Sequence, residues 1–176
     1  MIASMVPNIP PILPDALALL ALLGLAAAAL NDVALRRIPN LLAAVVALAG
    51  LARQVLVGAP AIALLAAGCM LLGATLLWLR GVLGGGDVKL LAATGLLLPA
   101  AAIPAMLLAT ALAGGMLAIL HLALRGWLGG PTQPRPAGTL RRVLRCEAWR
   151  IRRGAPLPYG VAIAAGTAFV MTGAGV

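Results

Sequence analysis

The chain has 176 residues, of which 63% are hydrophobic, 10% charged and 3% aromatic, with a net charge of +9 and a mean hydropathy of +1.10. That balance excludes a soluble globular domain and marks an integral membrane protein. The positive charge does not point to nucleic acid, because such a surface needs a solvated basic face interleaved with stacking aromatics.

Taken from the start, Pro7, Pro10, Pro11 and Pro14 predict a short extended lead-in. The first basic residue is Arg36, so the first apolar stretch lacks the charged flank of a secretory signal and reads as a retained helix. About 20 apolar residues cross a hydrocarbon core of roughly 30 Å. By that measure residues 1–176 predict one all-α, polytopic membrane domain with six transmembrane helices, at about 15–35, 41–57, 59–79, 88–103, 104–124 and 156–176. The spans are built from Ala, Leu and Gly, whose small side chains let helix backbones approach closely.

The fourth and fifth spans are separated by proline. Residues 90–124 carry no formal charge, and as one helix they would be about 50 Å long, too long for a single crossing. Pro99 and Pro104 bracket four residues between them, and proline interrupts a helix, which predicts a tight turn and two antiparallel spans. Charge supports the count. Of the 13 Lys and Arg residues, only Arg53 falls outside the first, third and fifth loops. Basic residues mark cytoplasmic loops, which places both termini on the non-cytoplasmic side. The same loops suit anionic lipid headgroups. Within the basic loop 125–155, "TLRRVLRCEAWRIRR" sets Leu140, Val143, Leu144, Ala148 and Ile151 at helical spacing among arginines, the pattern of an amphipathic interfacial helix.

Cys69 lies in an apolar run and Cys146 in the arginine-rich segment, so no disulfide is expected. The single His121 has no ligand set at usable spacing, so no metal or other cofactor is expected. His121 reads as an interfacial residue and Met70 as packing.

Four acids remain. Asp15 follows Pro14 and reads as a helix-starting residue; Glu147, among arginines, reads as a solvated partner charge. Asp32, in "ALNDVALRRIPN", and Asp87, in "GGGDVKLL", each lie about one turn from a membrane boundary with apolar residues on both sides, where an ionisable group is costly and usually functional. Loops one and three share a face, so both carboxyls sit at the same depth on the cytoplasmic side. Two such acids cannot both ionise easily, so one holds a proton while the other acts as base on a water between them. Gly84, Gly85 and Gly86 leave the backbone free to bend and open to an approaching peptide; alone they would read only as a flexible connection. Helix ends favour Asp87 as the anion and Asp32, near a helix C-terminus, as the acid. Lys89 either reinforces Asp87 or anchors the interface.

Asp32 followed by Ile38-Pro39-Asn40, the GxGD motif in "GGGDVKL", and "PYGVAIAAG" (158–166) together resemble the type IV prepilin peptidases, in the short peptidase-only form of Tad/Cpa (Flp) pilus systems. The resemblance implies an aspartic endopeptidase of the bacterial inner membrane that removes the basic leader of a prepilin or pseudopilin after a glycine, with Asp32 and Asp87 as its catalytic pair. Larger members carry a cysteine-paired cytoplasmic segment and methylate the new N-terminus; loop one here is only Arg36 to Asn40, so methyltransferase activity is not implied. Asn40 either starts span two or contacts substrate, and Tyr159 either holds an interfacial position or reaches the active site. Two other readings stay open. One is a presenilin-like GxGD protease, which pairs that motif with Tyr-Asp where this chain has Asn31-Asp32. The other is an ion or proton transporter, for which inverted repeats are expected and none is evident.

Overall fold

The computed structural model describes residues 12–127 and 138–173. The expected lead-in around Pro7 to Pro11 lies outside the described residues, as does part of the basic loop, including Arg135. The described chain is helical: α1 (Ile12–Leu35), α2 (Asn40–Val57), α3 (Pro60–Leu79), α4 (Gly85–Leu97), α5 (Ile103–Trp127), α6 (Thr139–Arg153) and α7 (Tyr159–Met171).

Four helices close a ring: α1 packs on α2, α2 on α4, α4 on α7 and α7 on α1, while α3 flanks α4, α5 flanks α7, and α6 touches α5 and α1. Small residues permit the contacts. A methyl group on Gly95 would lie 2.8 Å from Ala67 Cα of α3, one on Gly50 would lie 2.8 Å from Leu97 Cα of α4, and one on Gly166 would lie 2.6 Å from Thr110 N of α5. Leu25, Val46, Leu90, Leu97 and Ile163 fill the space between the four ring helices and are buried almost completely. α4 is the inner member, with more than half of its 13 residues buried.

The boundaries differ from the sequence expectation where helix ends meet proline. α1 already includes Ile12, so Asp15 lies within the first helical turn rather than before it. α4 starts at Gly85 and ends at Leu97, giving a helix of about 20 Å at 1.5 Å per residue. Leu98 is extended (ψ 149°) ahead of Pro99, as a residue before proline prefers. A 3-10 turn at Ala100–Ala102 then leads into α5. α7 starts at Tyr159, three residues after the expected 156. Four helical stretches are long and apolar enough to cross a membrane: Ile12–Leu35, Asn40–Val57, Pro60–Leu79 and Ala100–Trp127; Tyr159–Met171 is apolar but shorter.

The early end of α4 leaves carbonyls to satisfy. Leu97 O accepts from Gln54 Nε2 at 3.2 Å and Arg53 Nη1 at 3.4 Å, both from the last turns of α2. Gln54 is only 3% exposed, and an unpaired carbonyl there would cost about 1–3 kcal/mol. Arg53, the one basic residue on the wrong side of the charge pattern, thus faces the negative end of α4.

Candidate active site

Asp32 lies on the last turn of α1 and is 8% exposed. Its Oδ2 accepts the backbone N–H of Gly160 at 2.9 Å. The donor is in the first turn of α7, where N–H groups have no partner within their own helix. Such an end attracts carboxylates through its dipole as well. The approach requires glycine: a Cβ at 160 would lie 3.0 Å from Asp32 Oδ2 and 3.2 Å from Ile38 Cδ1. Asp32 is therefore held at the N-terminus of one helix as well as near the C-terminus of its own, and the expected asymmetry that made it the acid partner disappears. Gly160 went unnoticed as a site residue within "PYGVAIAAG". The available signal was a glycine two residues after a proline at the start of an apolar run.

Asp87 is the third residue of α4. Its Oδ2 accepts the N–H of Gly84 at 3.2 Å, the carboxylate half of a capping box; Gly84 has no side chain to supply the other half. The three glycines are not a free hinge. Gly84 has φ −78° and Gly85 and Gly86 are already helical, while the left-handed turn falls earlier, at Gly81 with φ 73°. Gly86 is needed for a close contact, since a Cβ there would lie 3.0 Å from Ile38 Cβ. Ile38 thus wedges between the glycine beside Asp87 and the glycine that holds Asp32.

Both acids line one open cavity of about 600 Å³, together with Ile38, Asn40, Gly84, Gly86 and Lys89. Lys89 Nζ donates to Asn40 Oδ1 at 2.8 Å, which clasps the second turn of α4 to the start of α2 and makes Asn40, not Asp87, the lysine's partner. Asn40 does begin α2. Tyr159 is not among the residues lining the cavity; its ring lies against α5, where a Cβ on Gly114 would be 3.0 Å from Cε2.

Glu147 is not a solvated charge. Its side chain is 14% exposed and meets Arg36, His121 (Nε2 at 3.3 Å) and Arg150 (Nη1 at 3.3 Å). Burial alone pushes its carboxyl up, but the hydrogen bond and charge of Arg36, with bonds from His121 and Arg150, outweigh it and hold the group below the ordinary carboxylate range. Among the described residues no three His, Cys, Asp or Glu side chains gather to hold a metal ion. Cys69 and Cys146 are free and exposed.

Chemically, the cavity presents two carboxyls, each tied through one oxygen to a backbone N–H, beside an exposed stretch of glycine backbone at Gly84 and Gly85. That set can activate water and receive an extended peptide. A family model described as the type IV leader peptidase family matches residues 19–119, a range that contains Asp32, Ile38, Asn40 and Asp87. No curated protein and no solved structure gives a significant match to the chain.

Proposed function

The chain belongs to the type IV leader peptidase family, and from that premise we propose that Asp32 and Asp87 form the catalytic pair of an aspartic endopeptidase. One carboxyl carries a proton and the other is charged, as two acids in one poorly solvated site prefer. The charged one takes a proton from water, the water oxygen bonds to the scissile carbonyl carbon, and the other acid delivers its proton to the departing amide nitrogen as the C–N bond breaks. The observation that carries this is the shared cavity, with Oδ2 of each acid anchored by a backbone N–H. The second oxygen of each carboxyl is then the one that meets water and substrate. Because the pair titrates as a unit, the roles belong to the pair rather than to either residue.

The substrate is a prepilin or pseudopilin of the Flp type, cut after a glycine at the cytoplasmic face of a bacterial inner membrane. The glycine backbone at Gly84–Gly86 offers the peptide a side-chain-free wall. Six crossings, with both termini non-cytoplasmic, follow from the basic loops, with α4 and α7 as the two short members. α6 lies at the interface, where exposed Leu140 and Leu144 enter lipid and its arginines meet anionic headgroups.

The test is cleavage of a prepilin by the purified protein in lipid. Wild type releases the leader after glycine, and Asp32→Asn and Asp87→Asn, inserted and folded to the same level, release none. Cleavage that persists in either variant removes the dyad. A cut deep within an apolar span would favour a presenilin-like specificity, and ion flux lost in Asp32→Asn without any peptidase activity would favour a transporter.

A further inference from the structure

We propose that Glu147 is a positioning residue for Asp32, acting as the centre of an ionic clamp that fastens α6 to the inner ends of α1 and α7. The proposal rests on the catalytic reading of Asp32 given above.

Three side chains, from the end of α1, from α5 and from α6 itself, converge on this one carboxylate. Arg36, just past the end of α1, donates to Glu147 and to the carbonyl of Pro156 in the link that leads into α7. His121 of α5 meets the same Glu147 oxygen, Oε1. Arg150, one turn along α6, meets Oε2 and also donates to Val33 O at 2.7 Å and Ala34 O at 3.2 Å. Those two carbonyls belong to the residues directly after Asp32. A helix C-terminus leaves carbonyls without partners in its own helix, and here an arginine from another helix takes them.

The clamp closes on the catalytic acid by two routes. Through α1, Arg36 N donates to Asp32 O at 2.9 Å, and Arg36 holds a left-handed φ of 54°. That conformation is costly for a residue with a side chain and persists only when surrounding contacts enforce it. Through α7, Arg36 holds Pro156, two residues ahead of the proline that starts the helix whose Gly160 N–H binds Asp32 Oδ2. Loss of Glu147 leaves Arg36 and Arg150 with their carbonyl bonds but without the anion that brings them together. Because Glu147 does not line the cavity, its contribution passes through the placement of Asp32 and the α7 N-terminus.

Two readouts test this in full-length protein in proteoliposomes. In the first, turnover of a basic-leader peptide by Glu147→Ala falls about 30-fold in kcat, as a displacement of about 1 Å at a reacting group can produce, while KM stays within about two-fold. Glu147→Asp, which keeps the charge, falls between Ala and wild type, and Arg152→Gln, on an exposed position of α6, stays within about two-fold of wild type. The second readout needs no activity. A nitroxide on the exposed Cys146 of α6, in a Cys69→Ala background, is restricted when the clamp is intact and mobile in Glu147→Ala. Unchanged kcat with a mobile label overturns the positioning role, and a restricted label in Glu147→Ala overturns the clamp itself. Should wild type cleave no leader peptide, the catalytic reading fails and the label still decides whether the clamp exists.

Discussion

The two ends of α4 are finished in opposite ways. At its first turn, N–H groups and an acid, Asp87, face an open cavity, and the helix supplies its own cap through Gly84. At its last turn, a buried carbonyl at Leu97 is met by Gln54 and Arg53 from a neighbouring helix. The contrast separates polar residues by the direction of their hydrogen bonds. Thr94 and Thr167, wholly buried, satisfy their own hydroxyls by donating to Leu91 O and Ile163 O one turn back, and Gln54 donates to Leu97 O at the helix end, so each pairs a buried polar side chain with backbone. Asp32 and Asp87 instead receive N–H groups from helix N-termini and keep an oxygen in reserve. On the proposed catalytic reading, these donors to carbonyls hold the fold and these acceptors at helix starts hold the chemistry.

Substitutions can sharpen that division. The largest effect is expected at the receiving acids: Asp32→Asn or Asp87→Asn lowers leader cleavage by about 10³-fold or more with normal membrane insertion, measured against a prepilin in lipid. Next comes the donor of Asp32. Gly160→Ala places a methyl 3.0 Å from Oδ2 and 3.2 Å from Asp32 Cβ, so cleavage drops about 10- to 100-fold, whereas Gly115→Ala, which meets open space, leaves it unchanged. At the other end of α4, Gln54→Leu removes a structural donor. We expect a loss of about 1–3 kcal/mol of stability, read as a lower unfolding midpoint in detergent, with cleavage per folded molecule retained. If Gln54→Leu abolishes cleavage in fully folded protein, the two ends of α4 are not separable in this way.

The smallest effect concerns pH. Glu147 is held below the ordinary carboxylate range, so its contribution to stability is complete above the ordinary value of about 4.5 and is lost as pH falls through the folded value. The difference in unfolding midpoint between wild type and Glu147→Gln therefore shrinks on acidification below about pH 4.5. A difference that grows toward acid has the wrong sign for this network.

The helices and the two acids were legible in the sequence because both depend on local contrast. An Asp set in an apolar run stands out, and Pro99 marks a break whatever surrounds it. The exact end of α4 was not legible, since residues 98–103 are as apolar as those before them, and only the extended Leu98 and the polar side chains of α2 show where hydrogen bonding stops. Gly160 was missed because its functional group is a backbone N–H, which every residue but proline possesses. Glu147 was misjudged because Arg150, one turn along the same helix, makes a common surface pairing, while Arg36 and His121 arrive from distant segments. Lys89 could be placed at the site but not paired, because Asn40 is 49 residues away in sequence.

The shortness of α4 has a consequence for its surroundings. A helix of about 20 Å facing lipid would force the bilayer to thin beside it or would tilt to compensate. α4 is instead walled in by α2, α3 and α7, two of which are long enough to match the membrane unaided. On the six-crossing arrangement α2 and α3 therefore meet the full bilayer thickness in its place, and water entering the open cavity can reach Asp87 without any acyl chain having to bend around it.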